Sequence, residues 1–227
     1  MHLLIPIVLV FVLVFGPGWW VRNVMSRYSS PEDRYDGTGR DLARHLLDSH
    51  NLQSVKIEKT PKGDHYDPQE KVVRLSPDNY AGRSLTALTV AAHEVGHALQ
   101  DAEGYAPLKI RGQLVKLTQP VERVGAGIIM AAPLIGLATR APLVSLLMVL
   151  GGLMSLGATT LVHLITLPTE LDASFKRALP LLEKGALLKP VDLPHARRLL
   201  KAAALTYLSA SLASLLNIAR WWALLRR

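Results

Sequence analysis

The chain has 227 residues, no cysteine and a formal net charge of +8. Disulfides, thiolate metal sites and a cysteine nucleophile are therefore excluded, and the length fits one compact unit with a real core. The 49% of hydrophobic residues is gathered into a few long uncharged runs with most of the charge between them, the pattern of a membrane protein rather than of a nucleic-acid binder. The basic residues lie in linkers beside apolar runs and are not interleaved with aromatics on one patch, so a juxtamembrane role explains them and no nucleic-acid partner is expected.

The first run, Leu3 to Val21, is uncharged and ends in Trp19 and Trp20, which suit a headgroup boundary. No basic stretch precedes it and no small-x-small cleavage pattern follows it; Arg22 and Arg27 come next. The expectation is an N-terminal transmembrane anchor over residues 1–21, with a cleaved signal peptide as the rival reading.

Residues 22–123 form the candidate catalytic region. A polar linker runs from Ser26 to Gly39. Thr38, three before Asp41, then opens a short amphipathic helix whose face carries Leu42, Leu46 and Leu47. Val55 and Ile57 alternate with charge as in a half-buried strand, a turn follows at Asp67 to Glu70, and a second strand runs from Lys71 to Ser76. Together these predict a small β-sheet beside the helix from Leu85 to Asp101.

That helix carries His93-Glu94-Val95-Gly96-His97. Residues four apart share a helical face, so His93 and His97 can offer two imidazole nitrogens to one ion, and zinc is the natural choice because it accepts neutral imidazole. Glu94 is placed to take a proton from the attacking water and to return it to the leaving amine. Gly96 costs about 1 kcal/mol of helix propensity against alanine, which points to a close approach there. The bland reading is two polar residues on a helical face.

Residues 124–167 read as a transmembrane helical hairpin: Val124 to Ala138, about 22 Å long at the helical rise, and Ala141 to Leu167, split by Thr139 and Arg140. Residues 168–201 supply the third ligand. Pro168 is expected to end the third run and Glu170 to open a new helix, and because two crossings precede it Glu170 returns to the side of the histidines. Asp172 or Ser174 is available to orient a ligand. His163, inside the third run, is the rival third ligand, and an N-terminal helix carboxylate is the ordinary reading of Glu170. His65 and Tyr66 are candidates to stabilise the oxyanion, against plain turn chemistry for the aspartates around them. The strand Val72 to Leu75 is a candidate to pair with an extended substrate. Asp101 is either an orienting partner of the metal ligands or a helix-end polar residue, and Tyr207 reads better as a bundle tyrosine than as a site residue.

The last region, 202–227, is a C-terminal helix that either crosses the membrane or packs on other helices. Arg22, Arg27, Lys116 and Arg123 favour a cytoplasmic active site, whereas Arg220, Arg226 and Arg227 disagree if every run crosses.

The stretches HYDP, VVRLS, VAAHEVGHALQDAEGYAPLKIR, TLPTELDAS and AAALTY stand in the order found in the YugP-like family of bacterial membrane zinc metallopeptidases, which the chain resembles from about Thr38 to its C-terminus. The resemblance implies a neutral zinc metallopeptidase of gluzincin type in the bacterial inner membrane. It matches His93 and His97 to the histidine ligands, Glu94 to the catalytic glutamate and Glu170 to the third ligand. Leu171, and Asn51 where glycine is expected, are departures that touch no metal position.

The resulting expectation is a mainly α, multi-pass membrane protein with a zincin-like active-site helix and a small sheet, binding Zn2+ and hydrolysing protein or peptide substrates from within the lipid bilayer. The competing readings are a non-catalytic zinc-binding scaffold or chaperone-like protein, and a zinc hydrolase acting on bonds other than peptides. Substrate and oligomeric state are not legible in the chain.

Overall fold

The computed structural model describes residues 4–185 and 187–214. It is mostly helical with one small sheet, in the order α1 (Leu4–Arg27), α2 (Gly39–Ser49), β1 (Lys56–Lys59), β2 (His65–Asp67), β3 (Val72–Leu75), α3 (Pro77–Ala81), α4 (Leu85–Ala102), α5 (Ala106–Thr139), α6 (Pro142–Leu171), a π-helical turn (Asp172–Ala178), α7 (Leu179–Lys184), a 3-10 turn (Pro190–Asp192) and α8 (Leu193–Ser214). Two compact units emerge. One holds the chain up to Gly18, Ile110–Leu167 and the chain from Tyr207 onward; the other holds Trp19–Lys109 and Pro168–Thr206.

The second unit carries the core. Thr38 caps α2 with the reciprocal bonds of a capping box: its hydroxyl accepts from the Asp41 N–H, and the Asp41 carboxylate accepts from the Thr38 N–H. Leu42, Ala43, Leu46 and Leu47 are buried along the face so presented, which packs with α4. Asn51, just past α2, has φ 59°. Asparagine tolerates that left-handed conformation as glycine does, which reconciles the residue found with the glycine expected.

The sheet order is β1-β3-β2, with β1 parallel and β2 antiparallel to β3. The strand proposed from sequence as a substrate partner is therefore the central one. Val72, Val73 and Leu75 are buried on both faces of it, and its backbone is paired on both sides. Among the described residues the edges of the sheet are β1 and β2. Arg74 ties the sheet together by reaching Glu58 at 3.2 Å, Asp67 at 3.0 Å and Glu70.

The segment read as a linker is instead pinned. Tyr35 donates its N–H to the Arg83 carbonyl at 3.0 Å, and its hydroxyl donates to Asp192 at 2.5 Å; Arg34 donates to the same fully buried carboxylate through Nε at 2.7 Å and through Nη2. Helix α1 also runs past the tryptophan pair to Arg27, burying Val21 and Val24 in this core.

The first unit contains the apolar hairpin. The helical runs Ala106–Thr139 and Pro142–Lys184 are long and apolar enough to cross a membrane. Helix α5 is far longer than its apolar stretch because it begins before the basic residues Lys109 and Arg111. Arg140 turns the chain between the two with φ 53°. Close approach within the hairpin demands small residues: a Cβ on Gly125 would lie 2.5 Å from Ser155 Oγ, and that hydroxyl donates to the Val121 carbonyl at 2.6 Å. Leu134, Leu137, Leu143 and Met154 are exposed. Helix α8 is described to Ser214; the remainder of the last apolar run and the three terminal arginines lie outside the described residues.

Candidate metal centre

Helix α4 starts where Ser84 caps it by accepting the Ala87 N–H at 3.2 Å, and sixteen consecutive residues from Leu85 to Gln100 are buried. A helix buried all round forces its polar residues to find partners inside. His93, Glu94, His97 and Gln100 are 2%, 5%, 2% and 0% exposed.

The partner comes from far along the chain. Pro168 does not end the third apolar run but sits inside α6, which continues to Leu171. Glu170 is thus near the C-terminal end of a long helix, and the reading that makes it a helix-start carboxylate falls away. Its Oε2 lies 3.1 Å from Nε2 of His97 and 3.4 Å from Nε2 of His93. Ligand atoms of His93, His97 and Glu170 lie within 4.8 Å of one another, all three buried.

What allows this approach is Gly96. A Cβ there would stand 2.6 Å from the Ala173 carbonyl oxygen, so α4 and the π turn touch backbone to backbone. The sequence hint at Gly96 is explained by that contact.

The other nitrogen of each imidazole is occupied in a way that sets its tautomer. Gln100 Nε2 donates to the Thr169 carbonyl and to Asp172 Oδ1, each at 2.9 Å, which leaves Oε1 as the atom 2.9 Å from His97 Nδ1. Nδ1 of His97 therefore carries the proton. Ser174 Oγ donates to the Leu200 carbonyl at 3.0 Å, so at 2.9 Å from His93 Nδ1 it accepts. Nδ1 of His93 is protonated too.

In neutral imidazoles both Nε2 atoms are then bare lone pairs, aimed at a carboxylate oxygen. Three lone-pair donors converging in a buried volume repel one another unless a cation lies among them. Two neutral imidazoles and one carboxylate are a zinc donor set that keeps a position for water, and the residues present fit the ion. Glu94 adjoins His93 on the same buried helix.

The remaining residues singled out from sequence make other contacts. Tyr66 in β2 donates its hydroxyl to Asp101 at 2.7 Å, and Lys71 pairs with the same carboxylate. Burial, reinforced by that bond, pushes the Tyr66 phenol up, so it stays a neutral donor. His65 Nδ1 lies 2.9 Å from the Gly63 carbonyl. Neither belongs to the three-residue group. Asp101 acts as the tie between sheet and helix. His163 and Tyr207 stack in the first unit, rings 5.9 Å apart and 17° from parallel, with the Arg111 guanidinium 4.9 Å over the Tyr207 ring; Tyr207 is the bundle tyrosine expected. Leu171 is 37% exposed. Gln100 escaped the sequence reading; its one signal was an amide three residues after a ligand on a helical face.

A family model described as "Putative neutral zinc metallopeptidase" matches residues 3–226. The chain is also 36% identical over 217 residues, 92% of each chain, to "Putative membrane protease YugP" of Bacillus subtilis (strain 168). No solved structure matches.

Proposed function

The chain belongs to the family described as "Putative neutral zinc metallopeptidase", and from that premise we propose that it is a membrane-embedded zinc endopeptidase. The observation that carries the proposal is the pair of fixed tautomers: Gln100 and Ser174 leave His93 Nε2, His97 Nε2 and Glu170 Oε2 as converging lone pairs. Among the described residues this group has three members, which suits a catalytic site better than the closed four-ligand set of a structural one. That number favours an enzyme over a zinc-stabilised scaffold.

His93, His97 and Glu170 would hold the zinc, which when bound would supply a Lewis acid for the scissile carbonyl and for the attacking water. Glu94 takes the proton from the attacking water and passes it to the leaving amine as the peptide bond breaks. An extended substrate adds to the edge of β2, whose Tyr66 is roped to the active helix through Asp101, so that a bound peptide keeps register with the metal. Tyr66, whose hydroxyl is given to Asp101, is left out of oxyanion stabilisation, whereas His65, which meets the Gly63 carbonyl through Nδ1, has Nε2 to offer to it.

The apolar helical runs support placement in a bacterial cytoplasmic membrane, in keeping with the name of the Bacillus relative. Arg22, Arg27, Lys116 and Arg123 support an active site on the cytoplasmic side. Glu94→Gln is the test. The variant is expected to bind zinc like the wild type and to cleave a casein-like substrate slower by about 10²- to 10⁴-fold. Cleavage at the wild-type rate would end the mechanism.

A further inference from the structure

Gln100 selects the tautomer of His97 only while its own amide keeps one orientation. Turned over, the amide would present N–H to Nδ1 and send the imidazole proton to Nε2, the atom aimed at the metal. The amide is held by two acceptors, the Thr169 carbonyl and Asp172 Oδ1. The carbonyl is part of the helix backbone. The carboxylate belongs to a side chain with torsions of its own, so what anchors it decides the outcome.

That anchor is Arg177. Its Nε donates to the same Asp172 Oδ1 at 2.8 Å, its Nη1 pairs with Glu103 at 2.7 Å, and its guanidinium lies 5.6 Å over the Tyr105 ring. The side chain is 13% exposed, whereas that of Lys176, the other cation near Asp172 at 3.5 Å, is 79% exposed. The π turn makes the Arg177 contact possible. Residues five apart on an α-helix point roughly 140° away from each other, but in a turn whose hydrogen bonds run from i to i+5 they come to one side. Asp172 and Arg177 are such a pair, and both lie in the π turn.

We infer that Arg177 is a positioning residue for the metal centre, acting through Asp172 and Gln100 to hold His97 in the metal-binding tautomer. The inference rests on the zinc reading above and assigns the π turn a purpose: it lets one helix contribute ligand, orienting carboxylate and the clamp on that carboxylate. Arg177 touches neither substrate nor metal, so its effect is read in zinc affinity and not in turnover alone.

The experiment measures zinc affinity of the full-length protein in detergent by chelator competition, for wild type, Arg177→Met, Gln100→Leu and the double variant. Arg177→Met is expected to weaken zinc binding about tenfold or more. The same substitution is expected to add little in the Gln100→Leu background, because the path it acts through is already cut. A merely structural role for Arg177 would carry its full penalty into that background. Affinity within about twofold of wild type, or an undiminished loss in the double variant, overturns the inference. Should Arg177→Met fail to fold, Asp172→Asn takes its place: nearly isosteric, it removes the charge that Arg177 grips, and unchanged zinc affinity there overturns the inference equally. A wild-type protein that takes up no stoichiometric zinc would defeat the proposed function itself, whereas a zinc-binding wild type with an indifferent Arg177→Met defeats only this assignment.

Discussion

Glu170 Oε2 stands 3.1 Å from His97 Nε2 across 73 residues of chain. A single carboxylate, reached only after the apolar hairpin, thus joins the histidine pair of one helix, and each part can be tested apart.

Removal of that carboxylate should remove the ion. Zinc analysis of wild type, His97→Ala and Glu170→Ala is expected to give stoichiometric metal in the first alone, since two imidazoles hold zinc poorly without a third ligand. Stoichiometric metal retained in Glu170→Ala would return attention to His163.

Gly96→Ala sets two effects against each other. Helix propensity gains about 1 kcal/mol, but the new methyl group would meet the Ala173 carbonyl at 2.6 Å, and backbone cannot swing aside as a flexible side chain does. Overpacking costs typically 1–3 kcal/mol, so a net loss of about 1 kcal/mol is expected, with weaker zinc binding as the π turn is pushed off α4. Thermal melting decides the sign; an unchanged or raised Tm contradicts the close approach.

Tyr66→Phe separates anchoring from catalysis. Loss of the bond to Asp101 should lower stability by about 1 kcal/mol while turnover stays within about threefold, because a lost oxyanion donor would cost 10²-fold or more. A drop of that larger size in kcat would restore Tyr66 to the reacting centre.

Acid sensitivity should trace to Asp192. Burial opposes ionisation of this carboxyl, but the bonds from Arg34 and Tyr35, with the charges of Arg34 and His195, outweigh it and hold the carboxyl below its ordinary value. A depressed folded-state value means stabilisation that is present in full above the unfolded value, near 3.9, and is lost as pH falls through the folded one. Asp192→Asn is therefore expected to cost about 2 kcal/mol at neutral pH and to flatten the fall in Tm on acidification. A fall as steep as that of the wild type would show that other carboxyls govern it.

Where chemistry is local, the chain displayed its structure openly. Thr38 and Asp41 bond each other as their spacing implies, α4 spans nearly the predicted limits, and Gly96 betrayed a contact by its cost. The grouping of Glu170 with the histidines agrees with the topological expectation that a hairpin of two apolar runs brings the chain back toward them. What stayed hidden depends on geometry that no short-range pattern encodes. A π turn leaves the same apolar spacing as an α turn to within one residue, so the pairing of Asp172 with Arg177 could not be seen. Arg74 gives the strand from Val72 to Leu75 the look of one with a polar face, which concealed its burial on both faces. Pro168 reads as a stop, yet it is accommodated inside α6. Gln100 resembles any helical glutamine until the carboxylate and carbonyl that fix its amide are brought in from seventy residues away.

The distance along the chain between the two halves of the centre has a consequence for synthesis. A ribosome that has delivered α4 but not yet the end of α6 holds a polypeptide lacking its third donor, and the hairpin must be made before that donor emerges. Until then the nascent chain presents His93 and His97 without the carboxylate that completes the buried group.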